Sequence, residues 1–311
     1  MSISIRRPKT NISRQKALNK ARDKNTATPG NDVLKVSTAN ALTVNAPIYN
    51  TAMQNSANTK ALYNTKTAVK DIAVIECRHY NSHFIQVFNF GVVRGKYPAG
   101  HRSFYHLETD SDALPNMDSE DNVQLWGHYI VDGDAARLLA GGVAMANPDA
   151  AEVNTALGTM ETLLMEHSNL ADDLDAKQEL IDDLNEDVID DLIKKIWDEV
   201  ESTYGSETPE SKRANCRHWG VVYATDGIPA TLSGLVKNSD GTPAAGANIE
   251  IEETGAETIT NSEGRYTIDT VILGDVTIVA SYPAGSRIEQ TVNIPDHTDG
   301  ININVPDMMF S

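Results

Sequence analysis

Two copies of one tripeptide hold the residues of this chain best suited to metal chemistry. Cys77 precedes His79, and Cys216 precedes His218, with one arginine between the members of each pair. Two thiols and two imidazoles are a sufficient ligand set for tetrahedral zinc, but structural zinc sites usually leave roughly two to four residues between paired ligands. Residues i and i+2 of a helix also point about 200° apart. The pattern therefore favours buried thiols beside exposed histidines over zinc or a Cys77–Cys216 disulfide.

Other residues of catalytic type show no recognisable order. His79 and His83 share a helix face, but no glutamate completes a His-Glu-x-x-His motif. The acidic stretch 110–121 lacks the ligand order of an EF-hand. No phosphate-binding loop, dinucleotide fingerprint or Gly-x-Ser-x-Gly motif occurs. We therefore expect no enzyme, no cofactor and no metal.

Charge is divided unequally along the chain. Residues 1–70 carry 12 Lys and Arg against 2 Asp, a net +10, whereas residues 71–311 carry 14 basic and 42 acidic side chains, a net −28. Residues 1–55 also have few large apolar side chains and no sustained period, so we expect an extended basic arm that cannot fold alone. Deleting it is predicted to leave a folded protein that no longer assembles.

The cations of this arm are its predicted partner-binding residues. They are Arg6, Arg7, Lys9, Arg14, Lys16, Lys20, Arg22 and Lys24. An acidic protein surface, a neighbouring copy or nucleic acid could each pair with them. The arm has no aromatic residue before Tyr49, and therefore no platform for stacking bases. Protein partners are favoured over nucleic acid.

Residues 56–222 are predicted to form an α-helical body. Apolar residues recur every three or four positions from Val153 to Val200, downstream of a helix start at Asn147-Pro148. A single helix of that length would span roughly 80 Å. We therefore favour an antiparallel helical hairpin within 149–204, turning near Asn169, over one long helix. No run of 18 apolar residues exists, so no membrane span is expected.

Residues 230–309 show strand periodicity. The segment 246–252 alternates apolar and polar residues, and turns are indicated at Asp240-Gly241 and Gly264. The motifs Gly234-x-Val, Gly241-x-Pro, Gly246-Ala-x-Ile and Thr260-Asn-Ser-Glu-Gly-x-Tyr follow one another in order. This succession resembles the carboxypeptidase regulatory-like domain. The resemblance implies a transthyretin-like, immunoglobulin-like β-sandwich without chemistry of its own, and Asn261 replaces the aspartate usual before the second turn.

Together these features predict an α+β multidomain protein with an arm, a helical body and a terminal sandwich. We expect a non-enzymatic, homo-oligomeric structural protein of a large assembly, and a bacteriophage virion is the assembly that this combination favours. The start of the chain lacks the apolar core of a secretory signal, so export is not indicated. Expected partners are other virion or assembly proteins and copies of the chain, with a host surface glycan for the sandwich. A bacterial cell-surface binding module and an accessory subunit of an enzyme remain alternatives.

Overall fold

A computed structural model describes residues 3–30, 32–225, 227–282, 285–297 and 299–311. It confirms the α+β class, with helices in the first two thirds of the chain and strands mainly in the last third. The helices are α1 (Asn11–Ala27), α2 (Val36–Val93), α3 (Glu120–Leu139), α4 (Ala150–Leu184), α5 (Asp190–Thr203) and α6 (Pro209–Arg217). The strands are β1 (Ile3–Ile5), β2 (Tyr223–Thr225), β3 (Ala230–Lys237), β4 (Asn248–Ile251), β5 (Ala256–Ile259), β6 (Arg265–Thr270), β7 (Ile272–Ser281), β8 (Arg287–Ile294), β9 (Ile301–Asn304) and β10 (Met308–Met309).

The chain divides into two compact units. Unit 1 comprises Met1–Gln54 and Glu179–Ser311, and unit 2 comprises Asn55–Gln178. Each unit has its own apolar core: that of unit 1 joins the sandwich to α1 and α5, and that of unit 2 joins α2, α3 and α4. No helix in the described ranges is both long and apolar enough to cross a membrane.

The sandwich of unit 1 consists of two sheets. In one, β7 pairs with β8 along one edge and with β2 and β4 along the other, and β5 follows β4. In the second, β3 pairs antiparallel with β6 and parallel with both β9 and β10. Alternate side chains of β6 are buried, as a strand with one face on a core requires. The predicted C-terminal β-sandwich is confirmed.

The N-terminal segment, residues 3–27, is not an extended arm, and that expectation was wrong. Strand β1 adds to the first sheet by antiparallel pairing with β2, and α1 buries Ala17, Leu18 and Ala21 in the core of unit 1. The sequence predicted an unfolded segment because residues 3–27 contain few apolar side chains. Its few apolar side chains are instead buried against residues distant in sequence, which composition alone does not reveal.

The predicted turn near Asn169 is also absent, because α4 runs without interruption through that position. One π-helical turn at 185–189 then joins α4 to α5, so helical structure continues from Ala150 to Thr203. A helical run of this length is not exceptional in this chain, since α2 alone has 58 residues. In unit 2 the two helices run antiparallel: Thr59 hydrogen-bonds Asp173, and Lys66 pairs with Glu166.

A buried polar cluster organises the core of unit 2. The Asp134 carboxylate on α3 accepts hydrogen bonds from the Tyr105 hydroxyl and from Arg137 Nη2, both at 2.6 Å. The Arg137 guanidinium is fully buried and lies over the rings of Phe88 and Tyr97. Burial, followed by the hydrogen bond to Asp134, raises the pKa of Tyr105 far above its ordinary value. Since every member has a hydrogen-bond partner, the cluster stabilises the fold.

Candidate anion-binding groove

A groove in unit 1 collects basic side chains from the N-terminal segment and from the end of α6. It consists of two adjacent pockets that share Lys20, Gly220, Val222 and Asp275, a small one of about 50 Å³ and a wider one of about 610 Å³. The lining cations are Arg6, Arg7, Lys16, Lys20, Lys24 and Arg217, with His218 beside them. We call this feature the basic groove.

Helix α1 forms one wall of the basic groove, and its sequence explains the face that it presents. Lys16, Lys20, Lys24 and Ala27 follow one another at intervals of three or four residues, which places them on one helix face. Thr10 and Ser13 form a reciprocal capping box that fixes the start of the helix. The floor is apolar, with Val222 before β2, and Ile272 and Leu273 at the start of β7.

Close contact with Gly220 holds α1 in place. Gly220 has a φ of +85°, and a Cβ there would lie 2.8 Å from the carbonyl oxygen of Ala17. A side chain at this position would therefore strain the backbone and push α1 outward. The Thr10 hydroxyl also donates to the carbonyl oxygen of Glu252, which ties the start of α1 to the sandwich.

Carboxylates neutralise only part of the basic groove. Lys16 pairs with Glu252 and Glu253, and it donates a 2.8 Å hydrogen bond to the Thr277 hydroxyl. By contrast, Arg6, Arg7, Lys20 and Lys24 make no ion pair with any residue that the structure describes. These four side chains are the available positive charge of the groove.

Helix α6 supplies the opposite wall and is held by ion pairs of its own. Arg213 and Arg217 both bind the carboxylate of Asp296, at 2.7 and 2.5 Å. The two arginines hold the pKa of Asp296 below its ordinary value, although its partial burial acts in the opposite direction. Arg217 also lies over the ring of Tyr223. Because these contacts fix Arg217, it shapes the groove and contributes little free charge.

The composition of the basic groove favours a carboxylate-bearing partner over nucleic acid. Among its described lining residues, His218 is the only side chain with an aromatic ring, so successive bases would find no row of rings on which to stack. Asp23, Glu253 and Asp275 also line it and divide its positive charge into patches, which match spaced carboxylates better than an unbroken phosphate backbone. An apolar floor flanked by lysine and arginine suits an amphipathic acidic segment, which combines apolar contacts with carboxylates.

The structure separates the two Cys-Arg-His tripeptides. Cys77 belongs to unit 2 and Cys216 to unit 1, and both are buried free thiols. His79 and His218 are exposed, so each triplet directs its thiol inward and its imidazole outward. The described residues include no cluster of three or more His, Cys, Asp or Glu positioned to hold a metal ion. The sequence did not indicate that the second triplet would border the basic groove.

The eight cations predicted to bind a partner have different surroundings. Arg6, Arg7, Lys20 and Lys24 line the basic groove without an ion pair among the described residues. Lys16 and Arg14 are engaged internally, Arg14 with Asp190. Arg22 pairs with the adjacent Asp23, and the carbonyl oxygen of Lys9 accepts a hydrogen bond from Arg14.

The turns that suggested the sandwich family have the expected geometry. Gly241, Gly246 and Gly264 all have φ between +72° and +85°. The Asn261 side-chain oxygen accepts hydrogen bonds from the backbone N–H groups of Glu263 and Arg265, at 2.9 and 3.0 Å. A carboxylate would accept the same two bonds, so asparagine preserves the turn.

Comparison with known proteins identifies only the sandwich. Residues 231–306 match the family Carboxypeptidase regulatory-like domain. No curated protein matches the chain.

Among solved structures, an interface mutant of a type II cohesin–X-dockerin complex from Acetivibrio cellulolyticus is 20% identical, with a TM-score of 0.21, over 26% of this chain and 56% of that chain. A second mutant of that complex is 19% identical over the same shares, with a TM-score of 0.21. The C-terminal domain of the PapC usher is 23% identical, with a TM-score of 0.19, over 24% of this chain and 95% of that chain. The chain thus spans just over half of the cohesin–dockerin chains, and the sandwich assignment depends on the family match and the strand pairing.

Proposed function

We propose that this protein is a non-enzymatic structural subunit of a large assembly and that its basic groove binds an acidic segment of a neighbouring subunit. The observation that carries the proposal is the convergence of Arg6, Arg7, Lys20 and Lys24 on one groove without ion pairs among the described residues. The chain as a whole has a net charge of −18. Concentrated positive charge on such a chain steers acidic partners to one place.

This proposal changes the anchoring mechanism expected from the sequence. The N-terminal segment does not strap onto a neighbour, because β1 and α1 are part of unit 1. Its cations act instead as one wall of a preformed site, so binding requires no ordering of a free tail and avoids that entropic cost. A bacteriophage virion is the setting that we favour for the assembly, with a bacterial cell surface as the alternative.

In such an assembly the sandwich would face outward and contact a surface, such as a host glycan. The family match supports a folding, spacing or binding module without chemistry of its own. Removing residues 228–311 would not test this role cleanly. Strand β7 pairs with β2, and α1 packs on the same core, so the deletion would disrupt the rest of unit 1. Surface substitutions on the sandwich are the appropriate variants.

The groove proposal is tested with a synthetic peptide of residues 170–191, which carries ten carboxylates and one lysine. Peptide binding to the full chain is measured by fluorescence anisotropy at low and physiological salt. We expect K20E/K24E to weaken binding at least about tenfold, since reversed charges repel the peptide. K60E/K194E is the matched control, because it changes net charge equally on exposed helix positions outside the groove.

Two results would overturn the proposal. Equal loss of affinity in both double variants would show that only net charge matters. Tighter binding of a short DNA duplex than of the peptide would assign the groove to nucleic acid. A peptide with Asn and Gln in place of Asp and Glu should not bind.

A further inference from the structure

Helix α2 exposes an uncharged, largely apolar stripe in unit 2 that no described residue covers. Its members are Ala61, Leu62, Thr65, Ala68, Val69, Ile72 and Ile75, all of which are exposed. Leu62 retains 58% of its accessible surface and Ile72 retains 65%. Their spacing repeats every seven residues, the period at which a helix packs along a second helix. We call these seven residues the α2 stripe.

The opposite face of α2 already has its partner. Ala73, Val74, Cys77 and Phe84 lie in the core of unit 2, and Lys66 and Thr67 contact Glu166 and His167 of α4. The α2 stripe is therefore a second apolar face of the same helix, distinct from the face that packs in the core of unit 2. Contiguous exposed apolar side chains on a soluble protein mark an interaction surface.

Two residue pairs of the stripe are symmetric in sequence about position 67. Leu62 and Ile72 lie five residues on either side of that position, and Thr65 and Val69 lie two residues on either side. In an antiparallel pair of identical helices, Leu62 of each copy would face Ile72 of the other, and Thr65 would face Val69. The two-fold axis would pass beside position 67, and the small side chain of the adjacent Ala68 would lie next to it, where the backbones approach most closely.

Charge favours the same arrangement. Glu76 continues the seven-residue pattern at the end of the stripe, so a parallel pair would place two Glu76 carboxylates together. In the antiparallel pair Glu76 would face Asn58, which avoids that repulsion. The outer positions of α4 include Asp172, Asp175 and Glu179, so two copies of α4 would repel each other. The α2 stripe is the face on which two copies of an acidic chain can meet.

We propose that two copies of this chain associate through the α2 stripe as an antiparallel helical pair with its two-fold axis near Ala68. This contact is separate from the basic groove, because it is apolar and lies in unit 2. It supplies the self-association that a structural subunit requires, whatever the groove binds.

The proposal is tested by light scattering of the purified full-length chain in about 0.5 M NaCl. A salt concentration of about 0.5 M suppresses most contacts between exposed charges. We expect a mass of twice 33.8 kDa for the wild type and a single chain mass for L62E/I72E. M165E/L180E is the matched control and should remain dimeric, since it places two glutamates on exposed apolar positions of α4. A monomeric wild type, or equal dissociation of both double variants, would overturn the proposal.

Cysteine cross-linking tests the register independently of these charge variants. Cys77 and Cys216 are buried, so they do not compete with an introduced thiol. Ala68→Cys should form a disulfide-linked dimer on mild oxidation, whereas Ala61→Cys alone should not. A mixture of Leu62→Cys and Ile72→Cys proteins should cross-link, since these positions face each other in the proposed register. Efficient cross-linking of Ala61→Cys with itself would contradict the antiparallel arrangement.

Discussion

Arg14 and Asp190 form a two-pronged ion pair between α1 and the first residue of α5. Arg14 Nε lies 2.7 Å from Asp190 Oδ1, and Arg14 Nη2 lies 2.9 Å from Asp190 Oδ2. The residues are 176 positions apart in the chain. The pair therefore shows directly that the basic N-terminal segment is bound by acidic residues of its own chain.

Removing this pair should destabilise unit 1 modestly. We expect Arg14→Ala and Asp190→Asn each to lower the free energy of unfolding by about 1 kcal/mol, as for a well-oriented but partly exposed ion pair. Urea denaturation of both single variants and the double variant measures the coupling between them. Arg22→Ala is the control, because Arg22 pairs only with the adjacent Asp23. Strict additivity of Arg14→Ala and Asp190→Asn would show that the pair contributes nothing.

Gly220→Ala should displace α1 and disturb the basic groove. The new Cβ would lie 2.8 Å from the Ala17 carbonyl oxygen, and the positive φ adds strain. We expect a loss of about 2 kcal/mol or more in the free energy of unfolding, together with weaker peptide binding. Gly227→Ala is a close control, since Gly227 has a φ of +84° but no atom within 4 Å of the added Cβ. If Gly220→Ala and Gly227→Ala lower the free energy of unfolding equally, the contact between residue 220 and α1 does not cause the loss.

Alkaline pH should destabilise unit 2 partly through Cys77. Burial, followed by the charge of nearby Glu161, raises the pKa of the Cys77 thiol from 9.0 to about 11. A group with a raised pKa in the folded state stabilises fully below its unfolded pKa, and its contribution is lost as pH rises through the folded pKa. We therefore expect stability to fall between about pH 9 and pH 11.

Cys77→Ala should reduce the loss of unfolding free energy between these pH values, because the variant has no thiol to ionise at position 77. Urea denaturation at several pH values between 8 and 11 compares the two proteins. The wild-type thiols should also resist a disulfide reagent at neutral pH until the protein unfolds. Identical pH profiles for wild type and Cys77→Ala would contradict the role of Cys77.

Asp134→Asn should be more damaging than the loss of an ordinary hydrogen bond. The substitution leaves the fully buried Arg137 guanidinium without its carboxylate, which typically costs about 3–5 kcal/mol. Tyr105→Phe removes one hydroxyl from the same cluster and should cost about 1–2 kcal/mol. Thermal and urea unfolding of both variants show which substitution lowers the free energy of unfolding more. A larger loss for Tyr105→Phe would show that the ion pair is not the dominant interaction.

Local signals predicted the sandwich well. Gly241 and Gly264 have the positive φ that their turns require, and alternation in β6 matches its burial. These features depend on residues close in sequence, so a single sequence contains them. The helix start predicted at Asn147-Pro148 is right to within two residues, but the capping residue is Asp149, which exchanges hydrogen bonds with Glu152, and not Asn147.

The features that the sequence did not predict depend on contacts between residues far apart in the chain. The first part of α2, residues 36–55, gave no sign of a helix, because its buried face packs against α5 residues such as Glu199, which bonds Thr38. The basic groove likewise depends on α1 meeting Gly220, and their separation in the chain hides that contact. Charge counting found the cations but could not show that five of the eight line one groove.

The central claim is that residues 3–27 are folded and form one wall of the basic groove. Hydrogen exchange of the full-length protein tests it most directly, with mass spectrometry of peptides from residues 3–27. The account predicts slow exchange of the amides in α1 and of Arg6, whose N–H donates to the carbonyl oxygen of Val222 at 2.9 Å. Protection should decrease in Gly220→Ala but not in Gly227→Ala. Exchange throughout residues 3–27 as fast as in an unfolded chain would contradict the account, because a free arm cannot form the wall of the basic groove.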